Sequence, residues 1–480
     1  MVINMKVKSS QYIKQVKPLL KSLLDELLKE YSYASILATD SKGKIYSVSK
    51  RGTVISEDDL LSGRGFVIKV YDGKSYGEYS FNEISEGTIQ TIVNKIKDSL
   101  MPIKNYLPNN ISESEYEKLD DESLHVLESS DFEQNPEELG DERIVELLTK
   151  LSLEGRSFDE KILDCTANCR FQQYHKLFLS SNKDMEQNVL WTTGSLVVMA
   201  SRGEEIKYNF KGYSGLGGTE LLVAMEHGIK EVASTTLELL DSEPMKPGEY
   251  DCICTPEVTG MIVHEAFGHG VEMDMFVKKR ALAEKYIGEY VASPLITMHD
   301  GAAAAKETAT YLFDDEGVPA QDTIVIEKGI LKRGISDSQS AMYLNTKPTG
   351  NGRRESYERK AYTRMTNTYF ESGTDKLEDM IASIEYGFLL ENANSGMEDP
   401  KNWGIQAMVN IAREIKDGKF TGKIFSPIVL TGYVPDLLKS ISMVSDKLEL
   451  GGGGFCGKGY KEWVKVSDGG PYIKAKIRLG

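Results

Sequence analysis

Cysteine is scarce in this chain, with five in 480 residues, at positions 165, 169, 252, 254 and 456. An odd, unevenly spaced set is no disulfide framework and points to a reducing compartment. No run approaches the roughly 18 uninterrupted apolar residues that make a membrane span. Met1 to Ser10 holds lysines but no apolar signal core. A cytoplasmic location without a membrane partner is therefore expected. Positive charge is also in deficit: 57 Lys and Arg face 73 Asp and Glu, a net charge of -16. A surface for nucleic acid needs clustered Lys and Arg, so a nucleic-acid partner is not expected.

What is present is an ordinary globular composition, 40% hydrophobic and 27% charged, long enough for about three domains. The acidity is concentrated. From Glu113 to Glu146 there are fourteen Asp and Glu against only Lys118 and Arg143. Blocks of like charge repel and stay wet, so residues 111–146 read as a solvated linker.

Before that run, leucines 19, 20, 23, 24, 27 and 28 predict an amphipathic helix over about 17–31, with Pro18 in its first turn. A hairpin is expected from Ile36–Thr39 and Lys44–Val48, turning at Ser41-Lys42-Gly43. A second uses Phe66–Tyr71 and Ser75–Phe81, turning at Asp72-Gly73, and Glu86–Leu100 follows as a helix. After the run a similar order returns. His175–Ser180 turns at Asn182-Lys183-Asp184, Leu196–Ala200 and Ile206–Phe210 flank Arg202-Gly203, and Thr219–Leu240 is a helix capped by Thr219. GFVIKVYDGKSYGEYSF and SLVVMASRGEEIKYNF echo each other, which suggests a duplicated hairpin-hairpin-helix unit. The expected division is 1–110, the linker, 147–243, and a third region over 249–480.

Histidine is rare, six in all, yet two fall in TPEVTGMIVHEAFGHGVEMD (255–274). Thr255-Pro256-Glu257 opens a helix: a cap, a proline that loses nothing at the first position, and an acid at the positive end. His264-Glu265 is followed by His269, giving H-E-x-x-x-H. Zinc peptidases commonly show H-E-x-x-H, which sets both imidazoles on one helix face. Here a regular helix would leave the rings about 140° apart. Either a π-type turn restores convergence, or the helix ends at Gly268 and His269 swings in from beyond it. Gly268 and Gly270 favour the second. Glu265 is placed to act as a general base on a metal-activated water.

A catalytic zinc usually takes three protein ligands. Glu272, Asp274 and His299 are near candidates for the third, and Cys456 in GGGGFCGKG is a distant one. Spacing does not choose among them. Gly452–Lys458 also matches G-x-x-x-x-G-K, but a phosphate loop needs Ser or Thr next, and Gly459 stands there. Cys165, Cys169, Cys252 and Cys254 read as small buried hydrophobes. His125, His175 and His227 have no partners in sequence. In TGNGRRESY (349–357) and RMTNTY (364–369), Asn351, Arg353, Arg354 and Asn367 are candidate substrate-binding residues. A rim of arginine forks suits the carboxylates or carbonyls of a bound chain.

Six segments together resemble the TldD/PmbA family of metallopeptidases, specifically its metal-bearing TldD branch. They are HEAFGHGVEMD (264–274), GEYVASPLIT (288–297), DDEGVPAQ (314–321), PTGNGRRESY (348–357), RMTNTYF (364–370) and GGGGFCGKG (451–459). The resemblance implies that His264, His269 and Cys456 hold one Zn2+ per chain and that Glu265 is the base; other divalent metals also suit such ligands. It implies an α+β fold with a duplicated N-terminal part and a mostly β C-terminal domain carrying the metal site. It further implies hydrolysis of extended or unstructured peptides, in peptide maturation or in breakdown of small unfolded proteins. The implied partner is a second copy or a metal-free PmbA/TldE-type subunit. The chain departs from the family at Met273, where glycine is common, and over Leu389–Trp403.

Overall fold

The computed structural model describes residues 5–106, 116–460 and 462–480. Helix, strand and β-rich C-terminal region combine in one mixed α/β fold. Among the described residues no helix is long and apolar enough to cross a membrane.

The N-terminal part is an eight-stranded sheet. At its centre Tyr33–Ser49 pairs antiparallel with Ile162–Ser180, Ser41 facing Tyr174. Gly63–Tyr71 and Tyr76–Phe81 continue one side; Lys183–Arg202 and Glu205–Leu216 continue the other. Each side lies between two helices, Gln11–Leu28 with Ile89–Tyr106 and Asp141–Arg156 with Val223–Glu238; the second is a three-strand meander, while the first holds a fourth strand, Gly52–Glu57, paired with Tyr33–Ser49. The two sides fill separate cores, one built on Leu20, Leu24, Ile36 and Ile68, the other on Ile144, Leu148, Leu196 and Ile229. Cys165 and Cys169 are packed in the second.

Several local expectations change. Tyr33–Ser49 is one continuous strand, so no hairpin forms at Ser41-Lys42-Gly43. A Cβ on Gly43 would lie 2.0 Å from Gln172 Oε1 and 2.8 Å from the Phe171 carbonyl oxygen. This glycine therefore admits a neighbouring strand rather than making a turn. Asp72-Gly73 does turn: Gly73 has φ +99°, and Asp72 accepts the N–H groups of Lys74 and Ser75. The first helix starts at Gln11, with the Ser10 side chain accepting the Ile13 N–H at 3.1 Å. Pro18 thus lies in the helix interior. Thr219 is not the cap; its hydroxyl hydrogen-bonds Gln134, and a 3-10 turn, Thr219–Leu222, precedes the α-helix.

The acidic run is more than a linker in its described part. Leu124–Ser129 adds to the sheet parallel to Lys183–Arg202, and Asp141–Glu146 opens the helix that packs on the second meander. Glu113 and Glu115 lie outside the described residues.

In the C-terminal part, five strands close on themselves. Gly248–Cys254 pairs with Tyr386–Asp399, then Gly404–Lys416, Ile428–Tyr433 and Ser467–Leu479, and Ser467–Leu479 returns to Gly248–Cys254. Cys252 and Cys254 point into its core. The helix Pro256–Met261 leaves the end of Gly248–Cys254 and runs against this ring.

Candidate metal centre

Pro at the first helical position and Glu257 in the first turn start the helix as their chemistry dictates. Thr255 holds the cap position with extended backbone, but its hydroxyl makes no capping bond. The α-helix runs only to Met261. Ile262–Gly268 is a π-helix, and His269–Val271 follows as a 3-10 turn. Its wider turn carries residue i+5 back over residue i. The two imidazoles consequently stand edge to face with centroids 5.1 Å apart. The expected helix end at Gly268 does not occur, because Gly268 keeps helical angles of φ -59° and ψ -50°. Packing accounts for the glycine: a Cβ there would lie 2.2 Å from Met365 Sδ.

Cys456 arrives from 187 residues away on the hairpin Phe455–Lys458 with Glu462–Lys465, facing Val464. Its Sγ lies 3.6 Å from His269 Nε2. Ligand atoms of His264, His269 and Cys456 all lie within 4.8 Å of one another, and no other such trio of His, Cys, Asp or Glu occurs among the described residues. Tetrahedral zinc, with bonds of about 2.3 Å to sulfur and about 2.0 Å to nitrogen, sets two such donors about 3.5 Å apart.

The electrostatics also suit a cation. Burial alone would raise the Cys456 thiol, but His269 and His264 override it and hold it well below its ordinary value. Burial would lower His269, yet Cys456 and Glu272 push it well above its usual range. The shifts run toward thiolate at Cys456 and toward protonated imidazole at the histidines, and a divalent ion would take the place of those protons. Glu265 has its carboxylate 3.9 Å from His269 Nε2. Burial raises its pKa, while the two histidines oppose the rise.

The other third-ligand candidates are elsewhere or occupied. His299 is held between Asp322 at 2.6 Å and Glu371 at 2.9 Å, outside the trio. Asp274 accepts from Lys278 and Lys458. Glu272 accepts from His269 Nδ1, at 3.3 Å. Neighbours that spacing did not single out complete the site. Asp468 lies 3.9 Å from His264 Nδ1. The buried Arg364 donates to the Cys456 carbonyl at 2.5 Å and to that of Glu462 at 3.0 Å. Arg364 stands in a motif the sequence flagged, but as a candidate peptide contact.

The trio and Glu265 open on a cavity of about 1670 Å³ between the N-terminal sheet and the C-terminal region. One wall is the edge strand Glu205–Leu216; others are Asn392–Glu398 and the glycine-rich loop. Asn351, Arg353, Arg354 and Asn367 do not line it. Asn351 is fully buried, donating to Asp300 and to the Arg364 carbonyl. Asn367 binds the carbonyls of Gly301 and Ala305. Arg354 is paired with Glu78, and Arg353 donates to the Met365 carbonyl beside Tyr311. These bonds anchor all four within the fold; none of them lines this cavity, and Arg353 and Arg354 line a separate one.

Residues 247–478 match the family model of the PmbA/TldA metallopeptidase C-terminal domain. A metalloprotease TldD homolog of Buchnera aphidicola subsp. Schizaphis graminum is 32% identical over 70% of this chain and 71% of its own length. The chain belongs to the PmbA/TldD family. A zinc metalloprotease TldD homolog of Saccharolobus solfataricus is 26% identical over 87% of this chain and 90% of its own. The PmbA/TldD fold extends to the whole molecule. The crystal structure of TldE from Thermococcus kodakarensis superposes with a TM-score of 0.73, covering 96% of this chain and 99% of that one, at 20% identity.

Proposed function

We propose that this member of a metallopeptidase family is a zinc-dependent peptidase acting on extended or unstructured peptides. The observation that carries the reading is the meeting of His264, His269 and Cys456 beside Glu265 on the wall of a large cavity. Two imidazoles and a thiolate would hold one zinc ion per chain and leave a position open. Held there, the ion supplies Lewis acidity, polarising a peptide carbonyl and making water acidic enough to lose a proton near neutral pH. Glu265 takes that proton and returns it to the leaving amine; burial makes its carboxylate a better base than an exposed one. The edge strand at Lys211–Ser214 and the backbone of Gly453-Gly454 border the same cavity. They offer main-chain partners to an extended substrate, which fits sequence-tolerant cleavage in peptide maturation or removal of small unfolded proteins. The dimer in this reading pairs the chain with a second copy or with a metal-free TldE-type subunit, a protein of the same fold. The few unpaired cysteines suit a cytoplasmic setting.

The test is Glu265→Ala. It is expected to retain zinc and to lose about 10²–10⁴-fold in hydrolysis of an unfolded peptide pool. Cleavage at the unaltered rate would remove Glu265 from the base role.

A further inference from the structure

The G-x-x-x-x-G-K pattern has no phosphate role in the reading above, yet its lysine is buried beside the trio. Lys458 lies two residues beyond Cys456, with its side chain only 11% exposed. Its ammonium has three donors, and three acceptors meet it. They are Glu272 Oε2 at 2.9 Å, Asp274 Oδ1 at 2.6 Å and the Thr363 carbonyl at 2.9 Å. The same Glu272 Oε2 faces His269 Nδ1 at 3.3 Å, while His269 Nε2 faces Cys456 Sγ at 3.6 Å. A continuous chain thus runs from the Cys456 hairpin through Lys458 and Glu272 to the far side of the His269 ring.

We infer that Glu272 and Lys458 are positioning residues of the metal centre: Glu272 keeps the proton of His269 on Nδ1 so that Nε2 is the donor, and Lys458 fastens the Cys456 hairpin to the segment bearing His269. The inference rests on the metal reading above. A carboxylate behind a ligating imidazole fixes its tautomer and rotation and raises its basicity. What differs here is the source of the cation that holds this carboxylate. It comes from the strand carrying the third ligand, so one ammonium couples two ligand segments. Arg364 assists from behind by gripping the Cys456 carbonyl.

The test is zinc affinity by chelator competition on the full chain and on Glu272→Gln, Lys458→Met and the double variant. Each single change is expected to weaken zinc binding about 10–100-fold. The double variant is expected to bind no more weakly than the worse single one, since both act through one chain. Unchanged affinity in either folded single variant overturns the inference, as does a double variant showing the full sum of the two losses. Should the variants not fold, nitrogen NMR of histidine-labelled unaltered protein decides: metallation of His269 at Nε2 with Nδ1–H retained supports the assignment, and metallation at Nδ1 overturns it. An unaltered chain that binds no zinc would instead overturn the metallopeptidase reading itself.

Discussion

At the scale of single residues, the general base is shaped by its neighbours as much as by its own position. Gly396 passes beside Glu265: a Cβ there would lie 2.7 Å from Glu265 Cγ and 3.0 Å from its Cβ. Gly396 lies on the strand Tyr386–Asp399, part of which lines the cavity. Gly396→Ala should displace the carboxylate while leaving the trio intact. The expected outcome is a fall in kcat of about 10²-fold with metal content unchanged, because small misplacements of a reacting group are costly. Unaltered kcat would show that Glu265 has room to move. The site was partly legible in the sequence. With so few histidines, His264-Glu265 and His269 stood out, and their chemistry suggested a metal. Cys456 did not follow from spacing, because only tertiary folding brings it across 187 residues; resemblance supplied it. Lys458 and Arg364 could not be assigned at all, since their partners are backbone and side chains of remote segments.

At the scale of elements, periodicity and turn chemistry were read well where a local cause was enough. Asp72-Gly73 has both an Asx acceptor and a positive φ, and it turns. Gly43 lacks any such turn role; its cause is the crossing of Ile162–Ser180, which sequence does not display. The H-E-x-x-x-H spacing shows the same contrast. Five residues cannot converge on a regular α-helix, so some irregularity was required. The irregularity present is a π-helix, and Met365, packed where a side chain at 268 would stand, accounts for the glycine there. The π-helix stretches the turn instead of ending it, and so carries His264 and Glu265 straight into the 3-10 turn that bears His269.

At the scale of the whole molecule, the two parts are joined by charge pairs whose C-terminal members, Asp315, Glu316 and Arg354, are buried. Lys69 and Glu78 of the N-terminal sheet meet Glu316 and Arg354 of the C-terminal part. Lys176 pairs with Asp315 in the same seam. Burial alone would raise the Glu78 carboxyl, but Lys69 and Arg354 override it and hold it at about 2, against 4.5 ordinarily. A depressed carboxyl adds stability that is complete above the unfolded value. That stability is lost as pH falls through the folded one. The seam should therefore weaken between pH 4.5 and about 2. Glu78→Gln should remove about 1 kcal/mol of the unfolding free energy's pH dependence over that window, since Glu78 stays partly exposed and solvent screens its pairs. An identical pH slope in denaturant unfolding of both proteins would contradict this. The net acidity of the chain, by contrast, is borne largely by the run around residues 113–146. None of its described residues lines the metal cavity.

The central claim is that His264, His269 and Cys456 form one metal site. Its most direct test is metal stoichiometry by mass spectrometry of the native protein, comparing the unaltered chain with Cys456→Ala. The account predicts one zinc per unaltered chain and its loss from the folded variant. Zinc bound equally by both proteins would contradict it.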